Sequence, residues 1–199
     1  NGRRLVLAGT DGSTNWKTSQ FNNGLELDGI NDYAVNFGNQ GILGSEKRSV
    51  SFWIKGDASD LAKNKGAGII GWGKDAPGAY FSVELGGSGF IKVDYNGQLV
   101  RTTTTNVMDG SFHNVVVVYP KAGKVEGTRV YVDSKKQDVV LVGTAVTVNT
   151  QAASSLTIGR HVKTKTYFRG TLDDIRVYAG ELKTDNETEP KNEITAIYN

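Results

Sequence analysis

Two acidic side chains at alternate positions, Glu26 and Asp28, open the chemically suggestive part of this chain. In an extended strand, residues i and i+2 point to one side, so both carboxylates would face a common cleft, as acid and nucleophile chemistry at a glycosidic bond requires. A serine-hydrolase reading has less to stand on. No Gly-x-Ser-x-Gly elbow occurs, and His113 and His161 sit in strand-like contexts without a signature nucleophile. His113 reads as a residue that bonds a turn or packs at a sheet end. His161, beside Arg160 in a stretch rich in Lys and Thr, reads as exposed and able to touch a ligand.

Sugar recognition asks for aromatic faces against the C–H side of the ring, together with planar hydrogen-bonding groups for the hydroxyls. Three Trp and eight Tyr supply material for this. Trp72, in Ile69-Ile70-Gly71-Trp72-Gly73-Lys74, ends a strand beside glycines and reads as the most available platform. Tyr80, Tyr95, Arg101, Arg160 and Tyr167 sit at strand ends or on faces with polar neighbours, and with Trp72 and His161 they form the expected ligand-binding set.

Composition removes several other functions. With no Cys among 199 residues, neither a disulfide framework nor a thiolate metal site can form, and two His make a multi-His zinc site a poor expectation. Any metal would be held by oxygen. Lys plus Arg number 23 against 21 acidic residues, and a net charge of +2 creates too weak a field for binding a phosphate backbone, so no nucleic-acid partner is expected. No apolar run approaches the roughly 20 residues of a membrane helix, so no membrane insertion is expected either. The opening residues Asn1-Gly2-Arg3-Arg4 lack the apolar core of a signal peptide, and the chain reads as one domain, 1–199, taken from a longer protein with further domains.

These side chains must be carried by strands. Apolar and polar residues alternate in Ser49–Lys55, Tyr80–Leu85 and Arg129–Asp133, the period of half-buried strands. Gly86-Gly87-Ser88-Gly89 and Asn96-Gly97 are turn sequences that tolerate positive φ, so an antiparallel meander is expected from Tyr80 to about Thr103. Four consecutive valines, Val115 to Val118, do not alternate and predict a central strand covered on both faces. Helical spacing is confined to Asp57–Asn64 and to the tail, where Ile194, Ile197 and Tyr198 would dock a short terminal turn on a sandwich.

Five segments in order carry a family resemblance: Gly24-Leu25-Glu26-Leu27-Asp28-Gly29-Ile30-Asn31-Asp32-Tyr33, Val50–Lys55, Asp109-Gly110-Ser111-Phe112-His113-Asn114-Val115, Val130–Asp133, and Leu156–Arg160 continued through Phe168–Tyr178. Over about residues 20–199 the chain resembles a laminin-G-like domain of the concanavalin A-like lectin/glucanase superfamily. The resemblance implies an all-β fold, a two-sheet antiparallel jelly-roll sandwich with at most short helical turns. Trp53 then falls on a framework position. One structural calcium is implied at Asp28, the Gly29 carbonyl and Asp173. Laminarinase-like members use Glu-x-Asp-x-x-Glu, whereas this chain has Asn31 in place of the last Glu. A non-catalytic module is therefore expected, binding oligo- or polysaccharide in an extracellular, periplasmic or cell-surface protein and serving to target an attached enzyme. An adhesion domain is the alternative, with a divergent glycoside hydrolase or lyase behind it.

Overall fold

The computed structural model describes residues 5–9, 16–120, 123–183 and 193–198. In chain order the strands are β1 (Val6–Ala8), β2 (Trp16–Thr18), β3 (Asn23–Asp28), β4 (Tyr33–Asn36), β5 (Arg48–Lys55), β6 (Gly68–Gly73), β7 (Tyr80–Leu85), β8 (Ile91–Asp94), β9 (Gln98–Thr102), β10 (His113–Tyr119), β11 (Arg129–Val132), β12 (Lys135–Lys136), β13 (Val139–Gly143), β14 (Ser154–Ile158) and β15 (Arg169–Tyr178). They form an eight-stranded sheet, β1-β4-β14-β6-β7-β8-β9-β13, and a seven-stranded sheet, β12-β11-β10-β5-β15-β3-β2. Every pairing within them is antiparallel.

Alternation decides what each sheet buries. On β7 and β8, Phe81, Val83, Leu85, Ile91 and Val93 enter the shared core, while Tyr80, Glu84, Lys92 and Asp94 project to the other face. The meander forms as expected, and its Asn96-Gly97 turn has φ of 57° and 125°, values that suit these two residues. The valine run is central: β10 lies between β11 and β5. Val115 and Val117 join the inter-sheet core, whereas Val116 and Val118 pack with Tyr131, Leu182 and Ile194 on the opposite face.

That second cluster is closed by α1 (Glu193–Tyr198), the terminal helical turn expected from the sequence. Tyr198 stacks on Trp53 with centroids 5.5 Å apart, and Phe21 meets the same indole edge-on at 5.9 Å. Trp53 is thus a packing residue. In the other helix-like stretch a single 3-10 turn forms at Ala58–Asp60, capped by the Asp57 carboxylate accepting from the Ser59 N–H at 2.8 Å.

Two polar residues, one buried and one half-buried, fix loop ends. Arg48 is fully buried, and its guanidinium donates to the carbonyls of Ile42, Gly44 and Glu46 and to Thr150 Oγ1 at 2.7–3.0 Å. At the start of β10, His113 bridges Asp133 (2.7 Å) and Asp109 (3.1 Å), while Asp133 also accepts from the Asn114 N–H across the β11–β12 turn. Burial works to lower the His113 pKa, but the two carboxylates outweigh it and hold it above the ordinary value. A raised folded-state pKa stabilises the fold fully below the unfolded value, near 6.5, and that contribution is lost as pH rises through the folded value. Urea denaturation above about pH 6.5 should therefore show wild-type stability falling relative to His113→Gln. Parallel pH profiles for the two proteins would refute this.

Candidate polar pocket on the eight-stranded sheet

On the outer face of the eight-stranded sheet, the alternating positions of β7 and β8 bring together Tyr80, Glu84, Lys92 and Asp94. Their neighbours on β6 are glycines: Gly68 pairs with Glu84 and Gly71 with Ser82. The missing side chains make room for the β14–β15 loop. A Cβ on Gly68 would lie 2.2 Å from the His161 N, and one on Gly71 would lie 2.7 Å from Val162 Cγ2. The loop is pinned by the Thr166 hydroxyl donating to the Gly66 carbonyl at 2.5 Å and by the His161 N–H donating to Thr166 O at 2.9 Å.

His161 consequently lands on Glu84, with Nε2 2.7 Å from Oε1. Its Nδ1 accepts two backbone N–H groups, from Lys163 (2.9 Å) and Thr164 (3.0 Å), which assigns the ring proton to Nε2, the nitrogen that faces Glu84. The other Glu84 oxygen contacts the Lys92 ammonium, which also lies 3.6 Å from Asp94. Glu84 is fully buried, yet it sits on the outer face, beneath the loop.

The electrostatics follow from this crowding. Burial, reinforced by the charge of Glu84, raises the Asp94 pKa. Burial likewise pushes the Tyr80 hydroxyl far above its ordinary range, and its hydrogen bond to Asp94 adds to the shift. For Lys92 burial acts downward, but the two carboxylates prevail and raise its pKa. Asn96, Lys65, Lys163 and the Thr164 and Thr166 side chains complete a recess of about 300 Å³, at the lower end of ligand-pocket sizes.

The chain matches the family model described as Concanavalin A-like lectin/glucanases superfamily over residues 28–186. It belongs to that superfamily. No curated protein sequence matches it. Domain 4 of AbnA, a GH43 extracellular arabinanase from Geobacillus stearothermophilus solved with arabinotriose, superposes with a TM-score of 0.64 at 16% identity, covering 98% of this chain and 88% of that one. The binding domain of Paraclostridial Mosquitocidal Protein 1 gives 0.64 at 14% identity, with 99% of this chain covering 47% of that one. Trypanosoma rangeli sialidase gives 0.57 at 17%, with 92% covering 28%. At these identities the superpositions speak for the jelly-roll fold.

Within this member of the superfamily the expected ligand-binding set divides. Tyr80 and His161 line the pocket, but His161 is buried beneath its own loop rather than exposed. Trp72 is not a platform. Because Gly71 takes an outward position, alternation turns Trp72 into the core, against Phe81 (4.8 Å), with its N–H donated to Ile42 O. Tyr95 is also in the core, its hydroxyl 2.8 Å from Thr128 Oγ1. Arg101 stands opposite Lys92 on β9 and lies over Phe90 at 5.1 Å, next to the pocket. Arg160 stacks 3.7 Å above Tyr33, whose ring is 6.1 Å from Tyr167, so these form a separate cluster on the β4 side. Glu84, Lys92 and Asp94 were absent from the expected set. The visible signal was charge recurring at alternate positions in two strands of one hairpin.

The expected calcium ligands do not converge. Asp28 faces Arg169 across the β3–β15 ladder, while Asp173 lies four residues further along, roughly 13 Å away at strand spacing. The Asp28 carboxylate accepts the N–H groups of Ile30, Asn31 and Asp32, and Arg169 donates to its carbonyl at 2.9 Å. Gly29 serves the close approach of Arg169, whose Cβ lies 2.7 Å from where a Gly29 Cβ would stand. The Asp173 carboxylate holds the N–H groups of Phe21 and Asp174. Glu84, Asp94 and His161 do offer ligand atoms within 4.8 Å of one another. There the Lys92 ammonium already balances the carboxylates and His161 presents a donor, so this set fits a lysine rather than a metal ion.

Proposed function

We propose that the chain is a non-catalytic carbohydrate-binding module whose ligand enters the Tyr80–Glu84–Lys92–Asp94–His161 pocket. One observation carries this reading: a fully buried glutamate, a lysine, an aspartate and a histidine are held together on the outer face of a sheet, where packing alone gives no reason to bury charge. Such a network costs desolvation, and its return is a set of oriented donors and acceptors of the kind that hydroxyl-rich ligands need. Superfamily membership and the arabinotriose complex of the AbnA domain support the same ligand class. By analogy with that domain, the module would belong to an extracellular protein and hold an attached enzyme on its polysaccharide.

A glycan array followed by calorimetry should detect binding to at least one neutral glycan, with arabinotriose among the probes. Tyr80→Phe and Asp94→Asn each remove one hydrogen-bonding partner and should weaken that binding about ten- to hundredfold. A silent array, or unchanged affinity in both variants, would refute the pocket as the site.

A hydrolase or lyase reading has one observation in its favour, the convergence of Glu84 and Asp94 beside Tyr80 and His161. The protonation pattern argues against it. Both Glu84 oxygens contact cationic or N–H groups, His161 Nδ1 already accepts two N–H groups, and burial keeps Tyr80 protonated, which leaves Asp94, beside the Lys92 ammonium, without the second available carboxylate that glycoside hydrolysis uses. Release of reducing ends or of unsaturated products from any bound glycan would reverse this reading.

A further inference from the structure

A second recess, about 640 Å³, lies on the outer face of the other, seven-stranded sheet. Its floor is one row across three strands: Glu26 on β3, Thr171 on β15 and Lys55 on β5 are mutual register partners, facing away from the Leu25–Leu172–Ile54 row of the core. We infer that this cleft is a second saccharide site, specific for neutral oligosaccharides, and that the domain bridges two glycan chains.

The anchor is Arg169. Its backbone is clamped from both directions by the fully buried Asn64, which accepts from the Arg169 N–H at 2.7 Å and donates to its carbonyl at 2.9 Å. Its guanidinium is then aimed by Asp60 at Nε (3.0 Å) and by the Asp28 carbonyl at Nη1 (2.9 Å), neither of which uses Nη2, and the side chain stays 41% exposed. A buried asparagine devoted to positioning an exposed arginine is the support expected around a recognition site. Lys55 is held over the Phe112 ring at 5.3 Å and has no ion pair among the described residues.

The lining selects the ligand. Five carboxylates, Glu26, Asp28, Asp32, Asp57 and Asp60, against Lys17, Lys55 and Arg169 leave the lining net negative, which opposes polyanions. Donors and acceptors of both signs suit a molecule whose hydroxyls both give and take hydrogen bonds. The two recesses open on opposite outer faces of the sandwich, so one short oligosaccharide cannot fill both. A long polysaccharide would instead be cross-bridged, with the avidity gain of two linked sites.

This inference rests on the carbohydrate reading of the first pocket, and stoichiometry separates the two. Calorimetry with neutral tri- and tetrasaccharides, arabinotriose included, should give two sites per chain. Lys55→Ala combined with Thr171→Val should leave one site, and Tyr80→Phe combined with Asp94→Asn should remove the other, with urea midpoints confirming that both variants fold. The wild type should precipitate a long neutral polysaccharide, and either double variant should not. One site per chain, abolished by the Tyr80 and Asp94 changes and indifferent to those at Lys55 and Thr171, overturns the second site and leaves the first. No binding by the wild type overturns both.

Discussion

Replacing Arg48 by Ala is expected to cost about 3–5 kcal/mol of folding stability, read as a lower urea midpoint at unchanged slope. The guanidinium is fully buried. It satisfies three loop carbonyls and the Thr150 hydroxyl while lying 5.2 Å from the Tyr119 ring and 5.8 Å from the Phe81 ring. Burial drives its pKa downward, a sign of the desolvation those acceptors offset. Truncation therefore leaves several acceptors unpaired around a cavity, each penalty being about 1–3 kcal/mol before relaxation. Arg48→Lys should recover part of the loss, because an ammonium cannot reproduce the planar fork that reaches Ile42, Gly44 and Glu46 together. A loss below about 1 kcal/mol for Ala would mean that water replaces the guanidinium.

Lys92→Met should be nearly as damaging, about 3–5 kcal/mol, because it strands the Glu84 carboxylate in a site where only His161 remains to meet it. Adding Glu84→Gln removes the stranded charge and should restore most of the loss, so the double-mutant cycle gives a large coupling between the two positions. Independent, additive effects would show that the pair is not an interacting unit. The same double variant should bind no glycan at the pocket even though it folds, which separates the network's part in recognition from its part in stability.

Much of the architecture was written in local patterns. Alternation in Tyr80–Leu85, the Asn96-Gly97 turn, the valine run and the spacing of Ile194, Ile197 and Tyr198 each specify a strand, a hairpin, a central position or a docking turn through neighbours a few residues away. The order of five motifs then indicated the superfamily. Sites were less legible. Trp72 beside two glycines reads as accessible, yet those glycines make room for other parts of the chain: the Val162 side chain covers Gly71, and a Cβ on Gly73 would lie 2.6 Å from the Ala79 carbonyl. His161 reads as exposed, but the β14–β15 loop that carries it folds back onto the sheet and buries it.

The sequence by itself determined which side of each strand is apolar, because side-chain direction alternates with period two whatever the strand pairs with. It therefore determined the sandwich and the inward burial of its core. Only the tertiary structure decided which outward residues meet. Glu84 and Lys92 are eight positions apart and joined by a hairpin, but His161 arrives from a loop 77 positions after Glu84, through space that Gly68 and Gly71 leave open. Likewise, the register of β15 against β3 set Arg169, not Asp173, opposite Asp28. Such encounters depend on the order of strands in each sheet and on the register between them, long-range quantities that no local pattern contains.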